Sequence, residues 1–233
     1  MGGHNTPAFP LRCLRGSNGN WDDGRDAPFA PPEHIDDLAF VDAVIADVSA
    51  KYDVDPSRIY AWGISNGGFF TNRLACERTD SFAAFGNVIA SMPEGYDCTP
   101  STTAPMLLMP GTEDPLVRYD GGPVASKSDE EASRGSSLSL QAATDFWLEH
   151  NECGSVVVTD SLPDTDPDDG STVLSERWSD CSQDSEVWVL TAQGGGHGLP
   201  GAFQYLPSSI IGSVNQDIDG TAMLWSFFEQ HQR

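Results

Sequence analysis

The pentapeptide Gly63-Ile64-Ser65-Asn66-Gly67 constrains this chain more than any other segment. It reads G-x-S-x-G and separates two different patterns. Before it, residues 58–62, RIYAW, form a short apolar run of strand type. After it, the stretch from about Asn66 to Glu77 reads as helix. A serine on so sharp a strand-to-helix turn needs small neighbours, because its backbone takes strained angles. The turn exposes the hydroxyl at the carboxyl edge of a sheet. The helix that follows points unpaired N–H groups at developing negative charge. Ser65 is therefore the expected nucleophile and the backbone N–H of Asn66 the expected oxyanion donor. The bland alternative is a glycine-rich turn with an incidental serine; the flanking strand and helix argue against it.

Other segments repeat the alternation. Residues 34–50 place Ile35, Leu38, Val41, Ile45 and Val48 at helical spacing, with acidic residues in the first turn. Residues 83–90 and 105–109 are apolar runs closed by turn residues. Residues 120–137 are rich in Gly, Ser and acids and read as an exposed loop. A helix is expected over 138–150, two strands over 155–159 and 172–178, a strand over 186–191 and a last helix over 219–230. Strands alternating with helices predict an α/β fold with a mostly parallel sheet covered on both faces. At 233 residues the chain is read as one domain, 1–233.

A serine needs a base, and the base an acid. In this fold the chain order is Ser, then Asp or Glu, then His. Three histidines follow Ser65: His150, His197 and His231. His197 lies in a glycine loop, GGGHG, directly after a strand, so its ring can reach over the sheet edge. It is the expected base. Asp114 follows the apolar run 105–109 and precedes His197, which makes it the expected acid; Glu113 is its rival.

With 12 basic and 35 acidic residues, the formal net charge is −23. Such a balance excludes nucleic acid and anionic membranes as partners. It fits either an ordinary self-repelling surface or adaptation to high salt. The chain has no apolar run of about 18 residues that would span a membrane. Met1–Pro10 has neither the basic nor the apolar region of a signal peptide, which is expected to be absent or removed. The five cysteines lack close C-x-x-C spacing, so no metal site is expected. Two disulfides and one spare thiol are the simplest reading, and they imply a secreted protein.

The chain resembles the polyhydroxybutyrate depolymerase-like and feruloyl/acetylxylan esterase group of α/β-hydrolases. The matching segments are Trp21-Asp22-Asp23-Gly24-Arg25, Val54 to Tyr60, Gly63 to Gly68, Arg73 to Arg78, Gly111 to Tyr119 and Gly194 to Gly201. The resemblance runs from about residue 20 to the end. It implies a Ser65–Asp114–His197 triad, disulfides Cys76–Cys98 and Cys153–Cys181 with Cys13 left over, no cofactor, and a carboxylic ester as substrate. The ester would be polymeric or polymer-derived: a polyhydroxyalkanoate, feruloylated or acetylated xylan, or an aromatic polyester such as polyethylene terephthalate. The group normally has several strands before the Trp-Asp-Asp-Gly segment, one ending in a His-Gly loop that completes the oxyanion hole. Here about 20 residues precede Trp21, and Gly2-Gly3-His4 is too near the start to serve. Some N-terminal strands are thus expected to be lacking, leaving the second oxyanion donor unassigned. The open sheet edge could be covered by a second copy.

Trp21, Met92, Leu116, Val117 and Trp178 are candidates to line an apolar substrate cleft, while Trp147 and Trp225 are expected in the core. Asp164 to Gly170 has the alternating carboxylates of a calcium loop, but Pro167 and a displaced glycine spoil it, so a solvated hairpin turn is expected. Two further readings compete with the esterase: an amide or peptide hydrolase with the same triad, and a catalytically inactive remnant that only binds.

Overall fold

The computed structural model describes Leu14, Gly16 and residues 19–26, 35–124 and 134–233. Met1–Pro10, Gly2-Gly3-His4 and Cys13 lie outside the described residues. Helix α1 is Asp37–Ser49, capped by the Asp36 side chain, which accepts from the Ala39 N–H. Strand β1 (Tyr60–Ile64) leads through Ser65 into α2 (Asn66–Glu77). After a 3-10 turn (Thr79–Ser81) come β2 (Ala84–Val88) and β3 (Met106–Met109). A short antiparallel pair, β4 (Gly122–Pro123) and β5 (Ser136–Ser137), precedes α3 (Leu140–His150). The chain then forms the hairpin β6 (Val158–Ser161) and β7 (Thr172–Trp178), strand β8 (Val187–Gln193), and helices α4 (Ser208–Ile211) and α5 (Gly220–Phe228).

Among the described residues the main sheet has the order β1-β2-β3-β8-β7-β6. The first three pairings are parallel and the last two antiparallel. β2 and β3 are buried along their whole length, which is why they read as continuous apolar runs rather than alternating ones. The two-residue period still sorts their side chains. Met106 and Leu108 join Phe70, Leu74, Phe85 and Trp147 on one face, whereas Leu107 and Met109 join Leu190, Leu224, Phe227 and Phe228 on the other. The chain is thus an α/β-hydrolase fold, and among the described residues its serine-bearing strand, β1, is a sheet edge. Trp62 and Ile64 of that edge strand are 38% and 40% exposed.

Two disulfides fasten the layers. Cys76–Cys98 ties the end of α2 to the segment after β2, and Cys153–Cys181 ties the end of α3 to the end of β7. The described part of the 120–137 stretch is less irregular than its composition suggests, since Gly122–Pro123 pairs with Ser136–Ser137. The Asp164–Gly170 segment is the turn of the β6–β7 hairpin. Asp217 accepts there from the N–H groups of Thr165 and Asp166, and Asp169 accepts from Ser171. Trp147 is in the core, but Trp225 is not: it lies on the outer side of α5, 42% exposed, because Leu224, Phe227 and Phe228 take the sheet-facing positions.

A buried charge cluster closes the far end of the sheet. Glu186 pairs with Arg177 at 2.6 Å and with His231 at 3.2 Å. Burial alone would raise the Glu186 pKa, but hydrogen bonds and charge from His231 and Arg177 outweigh it and hold the carboxyl below its usual 4.5. A depressed carboxyl pKa stabilises the fold above the unfolded value and loses that contribution as pH falls through the folded one. Glu186→Gln is therefore expected to cost about 2 kcal/mol at pH 7, less than a fully buried pair because Arg177 is partly exposed. The gap between variant and parent should narrow below about pH 4.5. Urea unfolding at pH 7 and at pH 3.5 checks both.

Candidate active site

Three loops at the carboxyl ends of β1, β3 and β8 converge. Ser65 sits at φ 55°, ψ −120°, a left-handed conformation that side chains adopt only when the surroundings force it. Its N–H donates to Val88 and its carbonyl accepts from Phe69, both at 3.0 Å. Gly63 is required beside it: a Cβ there would lie 2.1 Å from the Gly67 carbonyl oxygen. Although Ser65 stands at the N-cap of α2, its hydroxyl caps nothing. It is engaged with His197 Nε2 instead, at 2.9 Å.

His197 Nδ1 lies 2.7 Å from Asp114 Oδ2. A carboxylate can only accept, so Nδ1 carries the proton and Nε2 is left to accept from the serine hydroxyl. Asp114 Oδ1 accepts from the N–H groups of Leu116 at 2.8 Å and Val117 at 3.0 Å, which fixes the carboxylate plane. Both partners are buried, with side chains 4% and 1% exposed. The two loops that carry them are bonded together. Thr112 N–H donates to Ala192, Glu113 N–H to Gly195, and Gly194 N–H to the Thr112 hydroxyl. Gly111 permits this approach, since a Cβ there would meet the Gly195 oxygen at 2.4 Å.

The alternatives lie elsewhere. Glu113 is exposed. His150 contacts the Thr102 carbonyl at 2.7 Å, and His231 belongs to the Glu186 cluster. Asn66 is the first residue of α2, so its N–H is one of those a helix start leaves without an intrahelical partner.

The candidate substrate residues separate. Trp21 is half-buried beside the serine turn: its ring stacks on Phe70 at 4.6 Å, and its indole nitrogen lies 4.0 Å from where a Gly67 Cβ would be. Leu116 is half-buried. Val117 is buried with Phe69, Ala90 and Val124. Met92 must be corrected, because it is 3% exposed within the core. Trp178 must be corrected too. It pairs with Val187 at the start of β8, the sheet edge opposite His197, and packs on the core.

Two features escaped sequence reading. One is the segment after His197. Residues 187–216 contain no Asp, Glu, Lys or Arg, although the chain carries 35 acids. Within it Phe203 is 80% exposed, and Tyr205, Leu206 and Ile210 are 47%, 42% and 42% exposed. The Tyr205 hydroxyl donates to the His197 carbonyl at 3.1 Å. Burial, with the charge of Asp114 added, raises that phenol's pKa above 10, so it is a neutral donor. The missing charges were the available signal. The other feature is a set of contacts between Trp21–Arg25 and the side chain of Asn66. Among the described residues no group of three or more His, Cys, Asp or Glu is placed to hold a metal ion.

The model of the prolyl oligopeptidase family matches residues 35–93, from α1 through the serine turn to β2. The chain is 25% identical over 213 residues to "Putative esterase NocK" of Nocardia uniformis subsp. tsuyamanensis, covering 89% of this chain and 61% of that protein. It is 28% identical over 169 residues to feruloyl esterase B of Piromyces equi, covering 70% and 29%. It therefore spans less than two thirds of either relative. Among solved structures, an acetyl xylan esterase from Aspergillus awamori superposes with a TM-score of 0.47 at 16% identity, over 91% of this chain and 74% of that one. The sheet and the serine turn are those of an α/β-hydrolase fold, and the sequence is similar to proteins named as esterases.

Proposed function

We propose that this protein is a serine esterase that hydrolyses carboxylic esters through an acyl-enzyme. The observation that carries the reading is the unbroken chain from Ser65 Oγ through His197 to Asp114. His197 Nε2 takes the hydroxyl proton as Ser65 attacks the ester carbonyl. The N–H of Asn66 meets the oxyanion, and Asp114 steadies the imidazolium that forms. The proton then passes to the departing alcohol, and water repeats the sequence on the acyl-enzyme. Asp114→Asn leaves the ring without its orienting acceptor. It should lower kcat on p-nitrophenyl butyrate by roughly 10³ to 10⁴, and Ser65→Ala should leave only background. A fluorophosphonate that labels Ser65 in the parent should fail to label a His197→Ala variant; equal labelling would defeat the reading and favour an inactive remnant.

The uncharged segment supports a water-insoluble or polymeric ester as substrate. An exposed apolar rim beside the base suits an uncharged surface, and the acidic remainder repels polyanions. Two disulfides fit action in an oxidising, extracellular setting. Replacing Phe203 and Leu206 together by Ser removes two of the rim's four exposed apolar side chains. Release from an insoluble polyester film should fall about tenfold, from lost apolar contact, with p-nitrophenyl acetate turnover within about twofold of the parent. The match to the prolyl oligopeptidase family favours a second reading, an amide hydrolase. Matched p-nitrophenyl ester and p-nitroanilide substrates separate the two, and the esterase reading requires the ester to be much the faster.

A further inference from the structure

The segment Trp21–Arg25 crosses the first turn of α2 and is bound there by one side chain, Asn66. The Asn66 Oδ1 accepts from the Trp21 N–H at 2.8 Å. Its Nδ2 donates to the Trp21 carbonyl at 3.1 Å and to Asp23 Oδ2 at 2.5 Å. Asp23 Oδ2 also accepts from Arg25 Nε at 3.0 Å and Nη2 at 2.5 Å. The guanidinium lies 4.0 Å from the centroid of the Phe69 ring, and Phe69 N–H donates to Ser65. Asp23 and Arg25 are 4% and 7% exposed. The turn between them is Gly24 at φ 82°, where a Cβ would meet the Tyr96 ring at 2.8 Å. Asp22 anchors the other end, its N–H donating to Asp37 and its carboxylate pairing with Arg73.

A buried ion pair is weak support for stability, because desolvation offsets most of the attraction. Its best-attested use is to fix one arrangement among several. Here the pair ends on the residue whose peptide N–H serves the oxyanion in the proposed mechanism. Such a donor must hold its place to about half an ångström. A bare carboxylate so close would oppose an oxyanion, and Arg25 neutralises it.

We propose that Asp23 is a positioning residue: through the Asn66 side chain it fixes the Asn66 peptide N–H at the oxyanion. The proposal rests on the serine-esterase reading.

The test compares the parent with Asp23→Asn and Asn66→Ala, active sites counted by fluorophosphonate titration. On p-nitrophenyl butyrate, each variant should lose about 10- to 100-fold in kcat per titrated site, with KM within about threefold. Affinity for a trifluoromethyl ketone, whose adduct carries an oxyanion, should fall by the same factor as kcat. A purely structural role would lower the titratable fraction and leave kcat per site unchanged. Turnover per site within twofold of the parent, or a loss confined to KM, overturns the proposal. Should Asp23→Asn not fold, Asn66→Ala decides alone, because it leaves the Asp23–Arg25 pair in place. A parent that is not labelled at Ser65 ends the esterase reading itself. A labelled, active parent with unchanged variants removes only Asp23's role.

Discussion

The backbone of Ser65 is the constraint on which the rest depends. At φ 55° the chain leaves a sheet and enters a helix within one residue. That conformation is costly for any side chain, of order 1–3 kcal/mol. Its neighbours make it the only arrangement available. Gly63 lets the Gly67 carbonyl approach, and Gly68 lets α2 settle on Ala90, where a Cβ would stand 2.6 Å away. The Val88 carbonyl then holds the Ser65 amide. Two consequences follow together. The hydroxyl is turned away from the helix it would otherwise cap, and the helix keeps an open N–H beside it.

Most of this was legible in the sequence because it depends on local order. The serine turn announces itself through its glycines and through the change of period on either side. Ser65, Asp114 and His197 follow the ends of β1, β3 and β8, parallel strands whose carboxyl ends face the same way. The central strands β2 and β3 were legible as apolar runs because both of their faces are covered. What was not legible depends on which edge of the sheet a residue reaches. Trp178, three residues before Cys181, reads either as core beside a disulfide or as cleft lining. Its strand, however, runs antiparallel to β8, so the same sequence neighbourhood ends at the wrong edge. Met92 follows β2 at the right edge but turns inward to the core. The uncharged stretch around His197 was open to counting, but its exposure was not.

The scarcity of cations sharpens the reading of those that are placed. With 12 basic residues against 35 acidic ones, carboxylates outnumber the cations that could pair with them. Arg25, Arg73, Arg78 and Arg177 each meet a carboxylate within 3.0 Å. Arg73 joins α2 to the strap through Asp22, Arg78 joins α2 to α1 through Asp42, and Arg177 reaches Glu186. Arginine suits these places because its planar fork satisfies two acceptors at once and remains charged when buried. Salt screens the exposed excess of negative charge far more than it screens these half-buried pairs. The surface and the interior of this protein therefore answer to different electrostatic rules.

The strap at Trp21–Arg25 brings both rules to the candidate active site. Ser65, Asp114 and His197 follow the carboxyl ends of β1, β3 and β8 in one sheet, and the loops of the last two are bonded to each other. Among the described residues no strand lies beyond β1, on the outer side of the first turn of α2. The side chain of Asn66 supports that turn by binding the strap with both its amide and its carbonyl. A neutral side chain could have bound the strap's backbone alone. The added carboxylate of Asp23, with its own cation, makes the contact directional, since an ion pair with a defined fork geometry tolerates less rotation than a single amide bond. On this view the edge of the described sheet and the buried pair belong to one problem: how to hold a peptide N–H still beside an edge strand.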